Sequence, residues 1–140
     1  MNTTKLQAGS QFPSIVVRGF DGQSRDLAQP ENGHDWMMVV VYRGRHCPMC
    51  TRYLNELEHY RQELADIGVD LAAVSGDSAD QLSAHKTQLD VSFPLFYGLN
   101  TDQMKSLGLY ISDPRSPQET DHPFAEPGLF VINEQGDIQV

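Results

Sequence analysis

The sequence predicts an α/β fold, a central mixed sheet flanked by helices with an N-terminal β-hairpin extension. Met37 to Tyr42 and Val69 to Ser75 are continuous apolar, largely β-branched runs, the pattern of strands buried on both faces. Between them, from Pro48 onward, apolar residues recur at steps of four and three, the stripe of an amphipathic helix. Strands alternating with helices imply βαβ units and a mainly parallel sheet.

Each element has its own local signal. Ile15 to Arg18 and the stretch around Arg25–Leu27 flank Gly19-Phe20-Asp21-Gly22, which reads as a hairpin. Trp36 anchors the start of the first buried strand. The long helix places Tyr53, Leu57, Tyr60, Leu64 and Ile67 on its inward stripe and ends at Gly68. Its acids Glu56, Glu58 and Glu63 form a solvated face. Ser78 caps the next helix, with Gln81 completing a capping box and Leu82 and Leu89 facing inward. Phe93 to Tyr97 is a short extended piece whose aromatic rings belong to the core. Thr101 to Leu107 is a short helix stopped by Gly108. Leu129–Ile132 and Ile138–Val140 flank a turn at Asn133–Gly136, a closing antiparallel hairpin.

A length of 140 residues suits one domain, residues 1–140. Within it, residues 112–126 hold Pro114, Pro117, Pro123 and four acids with almost no apolar side chain, and read as a long surface loop. Such a loop is either a rim over a site or a bland excursion.

Net charge is −9, which argues against nucleic acid and anionic membranes, because affinity for phosphate backbones comes from Lys and Arg. The N-terminus has no apolar core of the secretory type, and Met37–Tyr42 falls far short of the roughly 20 residues of a membrane span. A cytoplasmic protein is the expectation.

Two cysteines, Cys47 and Cys50, are too few for a disulfide framework. They lie at the junction of the buried strand and the amphipathic helix. Pro48 suits the first helical turn, where its missing N–H has no intrahelical partner. Cys47 then falls near the N-cap, beside free backbone N–H groups and the positive end of the helix dipole, which favour a thiolate. Cys50 returns to the same side one turn later and can attack a disulfide formed at Cys47. Residues 43–52 contain Arg43, Arg45, Arg52 and His46 and no acid, whereas residues 53–140 hold fifteen of the nineteen acids. His46 reads as a cation favouring the thiolate, a proton shuttle or a surface occupant. A redox dithiol is the leading reading. A structural zinc site would need two further ligands, with His34 and His59 as candidates, and a non-catalytic redox sensor is a third reading.

The run Val39-Val40-Val41-Tyr42-Arg43-Gly44-Arg45-His46-Cys47-Pro48-Met49-Cys50 resembles the peroxiredoxin-like branch of the AhpC/TSA family, whose members often read Tyr-Arg-Gly-x-x-Cys-Pro-x-Cys here. The resemblance extends from Phe12-Pro13 to Gly136-Asp137-Ile138. It implies a thioredoxin-like fold, Cys47 as nucleophile, Cys50 as resolving thiol and Pro127 as a cis-proline opposite them. It also implies a disulfide or hydroperoxide substrate and a thioredoxin or glutathione-type reductant. No metal or cofactor is implied, and a homodimer is left open. Peroxiredoxins carry Pro seven residues and Thr or Ser three residues before the nucleophile, where this chain has Val40 and Gly44. The missing hydroxyl favours disulfide exchange over peroxide reduction. The fold normally closes with a further helix, and the sequence reaches Val140 in its final strand, so the C-terminal helix is expected to be missing.

Overall fold

The computed structural model describes residues 6–30 and 34–139. Strands β1 (Val16–Gly19) and β2 (Ser24–Asp26) form the expected hairpin, with Val16 opposite Asp26. The central strands are β3 (Trp36–Val41), β4 (Val69–Val74) and β5 (Leu95–Tyr97), and β8 (Gly128–Ile132) follows late in the chain. They build one six-stranded sheet in the order β2-β1-β5-β4-β3-β8. The β3–β4 and β4–β5 ladders are parallel, while β1–β2, β1–β5 and β3–β8 are antiparallel, so the sheet is mixed. A small hairpin of β6 (Ile111–Ser112) and β7 (Phe124–Ala125) brackets the loop of residues 113–123.

Alternation along β3 and β4 divides the core. Val39, Val41, Ala72 and Val74 face one side with Phe12, Ile15, Met104, Leu107 and Phe130. Val40, Leu71 and Ala73 face the other, against Leu54, Leu82, Phe93 and the two cysteines. Helices α1 (Pro48–Glu58) and α3 (Ala79–His85) contribute to this second layer, and α4 (Thr101–Ser106) to the first. The predicted Ser78–Gln81 capping box is formed, and an unforeseen one joins Asn100 and Gln103.

Three expectations need correction. The long helix is broken: α1 ends at Glu58 and α2 (Arg61–Asp66) follows. Between them the N–H groups of His59 and Tyr60 bond to the carbonyls of Glu56 and Leu57, a tightened turn. Its buried stripe is Cys50 and Leu54 with Leu57 and Leu64 half-buried, while Tyr53, Tyr60 and Ile67 are exposed. The stripe anchored on Cys50 is the one facing β3, because the thiol at the helix start fixes which side turns inward. The closing hairpin is reduced to a bridge between Ile132 and Ile138 and the Gln139 N–H bond to Val131, with Val140 outside the described residues. Gln11 bridges to Asp137, and Phe12 N–H bonds to Gly136, so the N-terminal segment takes the place beside Ile138. Finally, Glu58 is tied to Ser92 through the latter's N–H and hydroxyl rather than merely solvated. No helix follows β8 among the described residues, and no described helix is long and apolar enough to cross a membrane.

Candidate active site

The parallel strands β3 and β4 end together, Val41 beside Val74, and the chain leaving β3 turns directly into α1. Ligand sites in α/β sheets lie at such carboxyl ends. Residues 44–47 form a turn closed by the Cys47 N–H bond to the Gly44 carbonyl. Cys47 then takes the N-cap position with extended backbone, and Pro48 opens the helix, as the sequence predicts. The Cys50 N–H donates to Cys47 Sγ at 3.3 Å, so a sulfur occupies the place of a capping oxygen.

Both thiols are reduced and buried. Burial, the hydrogen bond with Cys47 and the charge of Cys47 push the Cys50 thiol up to about 12, against the opposing influence of the Arg43 backbone N–H and charge. Cys50 is therefore protonated at neutral pH.

The thiols floor a cleft of about 410 Å³ lined by Arg43, Met49, Tyr53, Pro127 and Leu129 among others. Met49 is 75 %, Tyr53 48 % and Leu129 40 % exposed, so the collar is apolar and open to solvent. Among the described residues, Arg43 is the one charged side chain lining it. Its Nε and Nη2 groups donate to Glu126 Oε1 at 2.8 and 2.5 Å. The other Glu126 oxygen accepts from the Ser112 hydroxyl at 2.6 Å. Burial pushes the Glu126 carboxyl up, but Ser112 and Arg43 outweigh it and hold the group below the usual carboxylate value. Glu126 in turn raises the Arg43 pKa further, with smaller contributions from both thiols.

The remaining cations do not converge on the thiols. The exposed Arg45 lines a separate polar cleft with Gln81 and residues 117–121. His46 lines that second cleft as well, its ring edge-on to Phe124 at 4.6 Å, with neither ring nitrogen hydrogen-bonded among the described residues. Burial lowers its pKa despite the opposing charges of Asp77 and Glu119, so His46 is neutral at neutral pH. Of the readings of His46, this direction is opposed to the cation. Charge density in the sequence counted side chains, whereas alternation around the turn sends Arg43 one way and Arg45 the other.

Pro127 sits across the cleft from Cys47, as expected, but its peptide bond is trans, like every bond among the described residues. Trans is the favoured isomer by about 0.5–1 kcal/mol. It is compatible with Gly128 joining the ladder opposite Val41 and with Glu126 reaching Arg43.

Several polar residues beneath the site are absent from the sequence reading. Asp77 is fully buried, accepts the Arg45 N–H on Oδ2 at 2.8 Å, and bonds through Oδ1 to His122 Nε2 at 3.0 Å. His85, also fully buried, pairs through Nε2 with the Thr51 hydroxyl at 2.7 Å. Burial lowers its pKa. Among the described residues the buried Tyr42 phenol has no hydrogen-bond partner in bonding geometry, and burial raises its pKa, with the Ser75 hydroxyl close enough to oppose the effect. The loop of residues 113–123 is tied down through His122 to Asp77 and through Asp121 to Gln81, and its residues 117–121 line the Arg45 cleft and not that of the thiols. The two candidate zinc ligands lie away from the thiols: His34 pairs with Asp70 near the start of β4, at the opposite end of the sheet, and His59 caps the far end of α1. Among the described residues no three metal-binding side chains come together.

Comparison with known structures agrees with this architecture. The chain is similar to a peroxiredoxin-like protein from Aquifex aeolicus (TM-score 0.78, 15 % identity, 97 % of this chain and 75 % of that one). It is also similar to the peroxidoxin BcpB of Mycobacterium tuberculosis (0.76, 14 %, 96 % and 82 %). The mitochondrial 2-Cys peroxiredoxin of Plasmodium falciparum is a third (0.76, 19 %, 96 % and 80 %). No curated protein matches the chain by sequence. Residues 8–140 match the AhpC/TSA family, and with this fold around the Cys47–Cys50 pair the chain belongs to that family of thiol-dependent oxidoreductases.

Proposed function

We propose that the protein is a dithiol enzyme in which Cys47 is the nucleophile and Cys50 the resolving thiol, cycling through a Cys47–Cys50 disulfide. The observation that carries the assignment is the asymmetry of the pair. Cys47 Sγ faces the helix N-terminus and receives the Cys50 N–H, while Cys50 is held protonated beneath it. Cys47 thiolate attacks one sulfur of a disulfide, forming a mixed disulfide and expelling the other sulfur as thiolate. The mixed disulfide removes both influences of Cys47 that hold the Cys50 proton in place. Cys50 then loses that proton and attacks the Cys47 sulfur, expelling the second thiolate. Two electrons have passed from the dithiol to the substrate, and an external dithiol of the thioredoxin type, or glutathione, restores the reduced pair.

A hydroperoxide is the second substrate class, favoured by the peroxiredoxin neighbours. Cys47 thiolate takes the terminal oxygen as a sulfenate, the alcohol leaves with a proton, and Cys50 condenses with the sulfenic acid to give the disulfide and water. Disulfide exchange ranks first because position 44 offers no hydroxyl and the Asp77 carboxyl fills the space there. A reducing cytoplasm suits a dithiol of this type, and a homodimer is part of the same reading.

Steady-state turnover of wild type, Cys47→Ser and Cys50→Ser with a disulfide and with a hydroperoxide tests the assignment. Loss of both activities in Cys47→Ser and a trapped mixed disulfide in Cys50→Ser are expected. Full activity in Cys47→Ser would overturn it.

A further inference from the structure

We propose that Glu126 sets the substrate specificity of the thiol cleft by neutralising Arg43, so that the site takes uncharged, apolar disulfides in preference to anionic ones. The inference rests on the dithiol reading above and adds the charge class of the partner.

An arginine beside a reactive thiol ordinarily makes a site attractive to anions, through both field and bidentate hydrogen bonding. Here the guanidinium charge is already paired. Two guanidinium nitrogens are engaged by one Glu126 oxygen, and the second oxygen is fixed by Ser112, so the carboxylate is held against the arginine, whose side chain is 42 % exposed. Glu126 reaches this position because it lies between β7 and β8, with its own N–H bonded to the Tyr110 carbonyl. The rest of the cleft wall consists of Met49, Tyr53, Pro127, Leu129 and the Val40–Val41 strand end, none of them charged. A partner entering therefore meets an apolar surface and a cancelled charge. An anionic partner gains no net attraction and loses hydration, whereas an apolar one buries its surface against Met49, Tyr53 and Leu129.

The test compares the rate at which reduced protein releases thiolate from an uncharged dipyridyl disulfide and from a dianionic bis(nitrobenzoate) disulfide. Each rate is divided by that of a small uncharged thiol under the same conditions. The ratio of dianion to neutral probe is measured in wild type, Glu126→Gln, Arg43→Gln and the double variant. Glu126→Gln leaves the guanidinium uncompensated, and one charge acting on a dianion at several ångströms raises the ratio about tenfold at low salt. Arg43→Gln leaves the carboxylate alone and lowers the ratio. The double variant restores neutrality and returns it to the wild-type value. All differences shrink as salt is added. A purely structural role for Glu126 would weaken both single variants and the double one without ordering the ratio by charge. Equal ratios in the four proteins, or a wild type that already favours the dianion, overturns the proposal alone. A wild type that releases thiolate from neither probe overturns the dithiol reading and the proposal with it.

Discussion

The Asp77 carboxyl lies against the bare face of Gly44: a Cβ built at position 44 would stand 2.5 Å from Asp77 Oδ1, and Gly44 itself has φ +140°. Glycine is required here twice over, by the backbone angle and by the contact. Gly44→Ala must relax both, and we expect it to destabilise the fold by about 3 kcal/mol. Gly44→Thr, which would supply the hydroxyl found in peroxiredoxins, is expected to be at least as costly and to confer no gain in peroxide turnover. Urea unfolding and a peroxide assay check both. A Gly44→Thr protein of wild-type stability would show that Asp77 yields the space.

Asp77 also joins three segments. It follows β4, holds the amide of Arg45 in the turn that delivers Cys47, and bonds to His122 in the 113–123 loop. Asp77→Ala leaves the Arg45 N–H and His122 without this partner, at an expected cost of about 3 kcal/mol. Amide hydrogen exchange separates this from a general loss of stability. Protection at Arg45 and in residues 113–123 should fall well before that of β3 and β4. Asp77→Asn, which retains an acceptor for the Arg45 amide, should restore most of the protection. Uniform loss across the sheet would argue against a local tether.

The Cys50 thiol supplies a pH-dependent expectation. Its pKa is raised from 9.0 to about 12, so the folded state holds this proton more tightly than the unfolded chain. The resulting stabilisation is complete below 9.0 and is lost as pH rises toward 12. In Cys47→Ser, burial alone still protects Cys50. Alkylation in mildly alkaline buffer should be about tenfold or more slower than for a free cysteine. Mass spectrometry over a time course measures this, and a Cys50 that reacts as fast as the free amino acid would contradict its assignment as the shielded partner.

How much of this site was legible before the structure depends on the range of the interaction. The strand–Cys-x-x-Cys–helix junction, Pro48 at the first turn and the Ser78–Gln81 box are local, and local chemistry alone specifies them. The helix face was read wrongly because Tyr53, Tyr60 and Ile67 repeat at helical spacing as well as Cys50, Leu54 and Leu57 do. Only the docking of the thiols onto β3 decides between the two stripes. Glu126 and Asp77 stand 83 and 32 residues from the groups they bind, and no periodicity links them. A partial signal existed for Asp77. It follows β4 just past the carboxyl end of a parallel strand, where the β3–β4 pairing brings it level with the Cys47 turn. For Glu126 the proline-rich loop concealed it, since an acid flanked by loop residues reads as solvated. Arg43 and Arg45 illustrate the same limit: a cationic run in sequence became one cleft cation and one remote surface charge.

The two histidines near the site make acid stability the last measurable consequence. His46 and His85 both have pKa values lowered by burial from the ordinary 6.5, so the unfolded chain binds protons there more readily than the folded protein. Their contribution is present above 6.5 and is lost as pH falls through the lower folded values. The effect should be sharper at His85, which is fully buried with Nδ1 unpartnered among the described residues, so that charging it places in the core a cation that the Asp77 charge offsets only in part. His85→Gln removes the titrating group. We expect this variant to be less stable than wild type near neutrality, because the Thr51 contact is disturbed. Its urea midpoint should nevertheless fall less steeply between about pH 7.5 and about pH 5.5. His46→Phe keeps a ring against Phe124 and should flatten the same profile to a smaller degree. Parallel pH profiles for wild type and His85→Gln would mean that His85 does not carry the acid sensitivity, and the burial argument for its neutrality would fail.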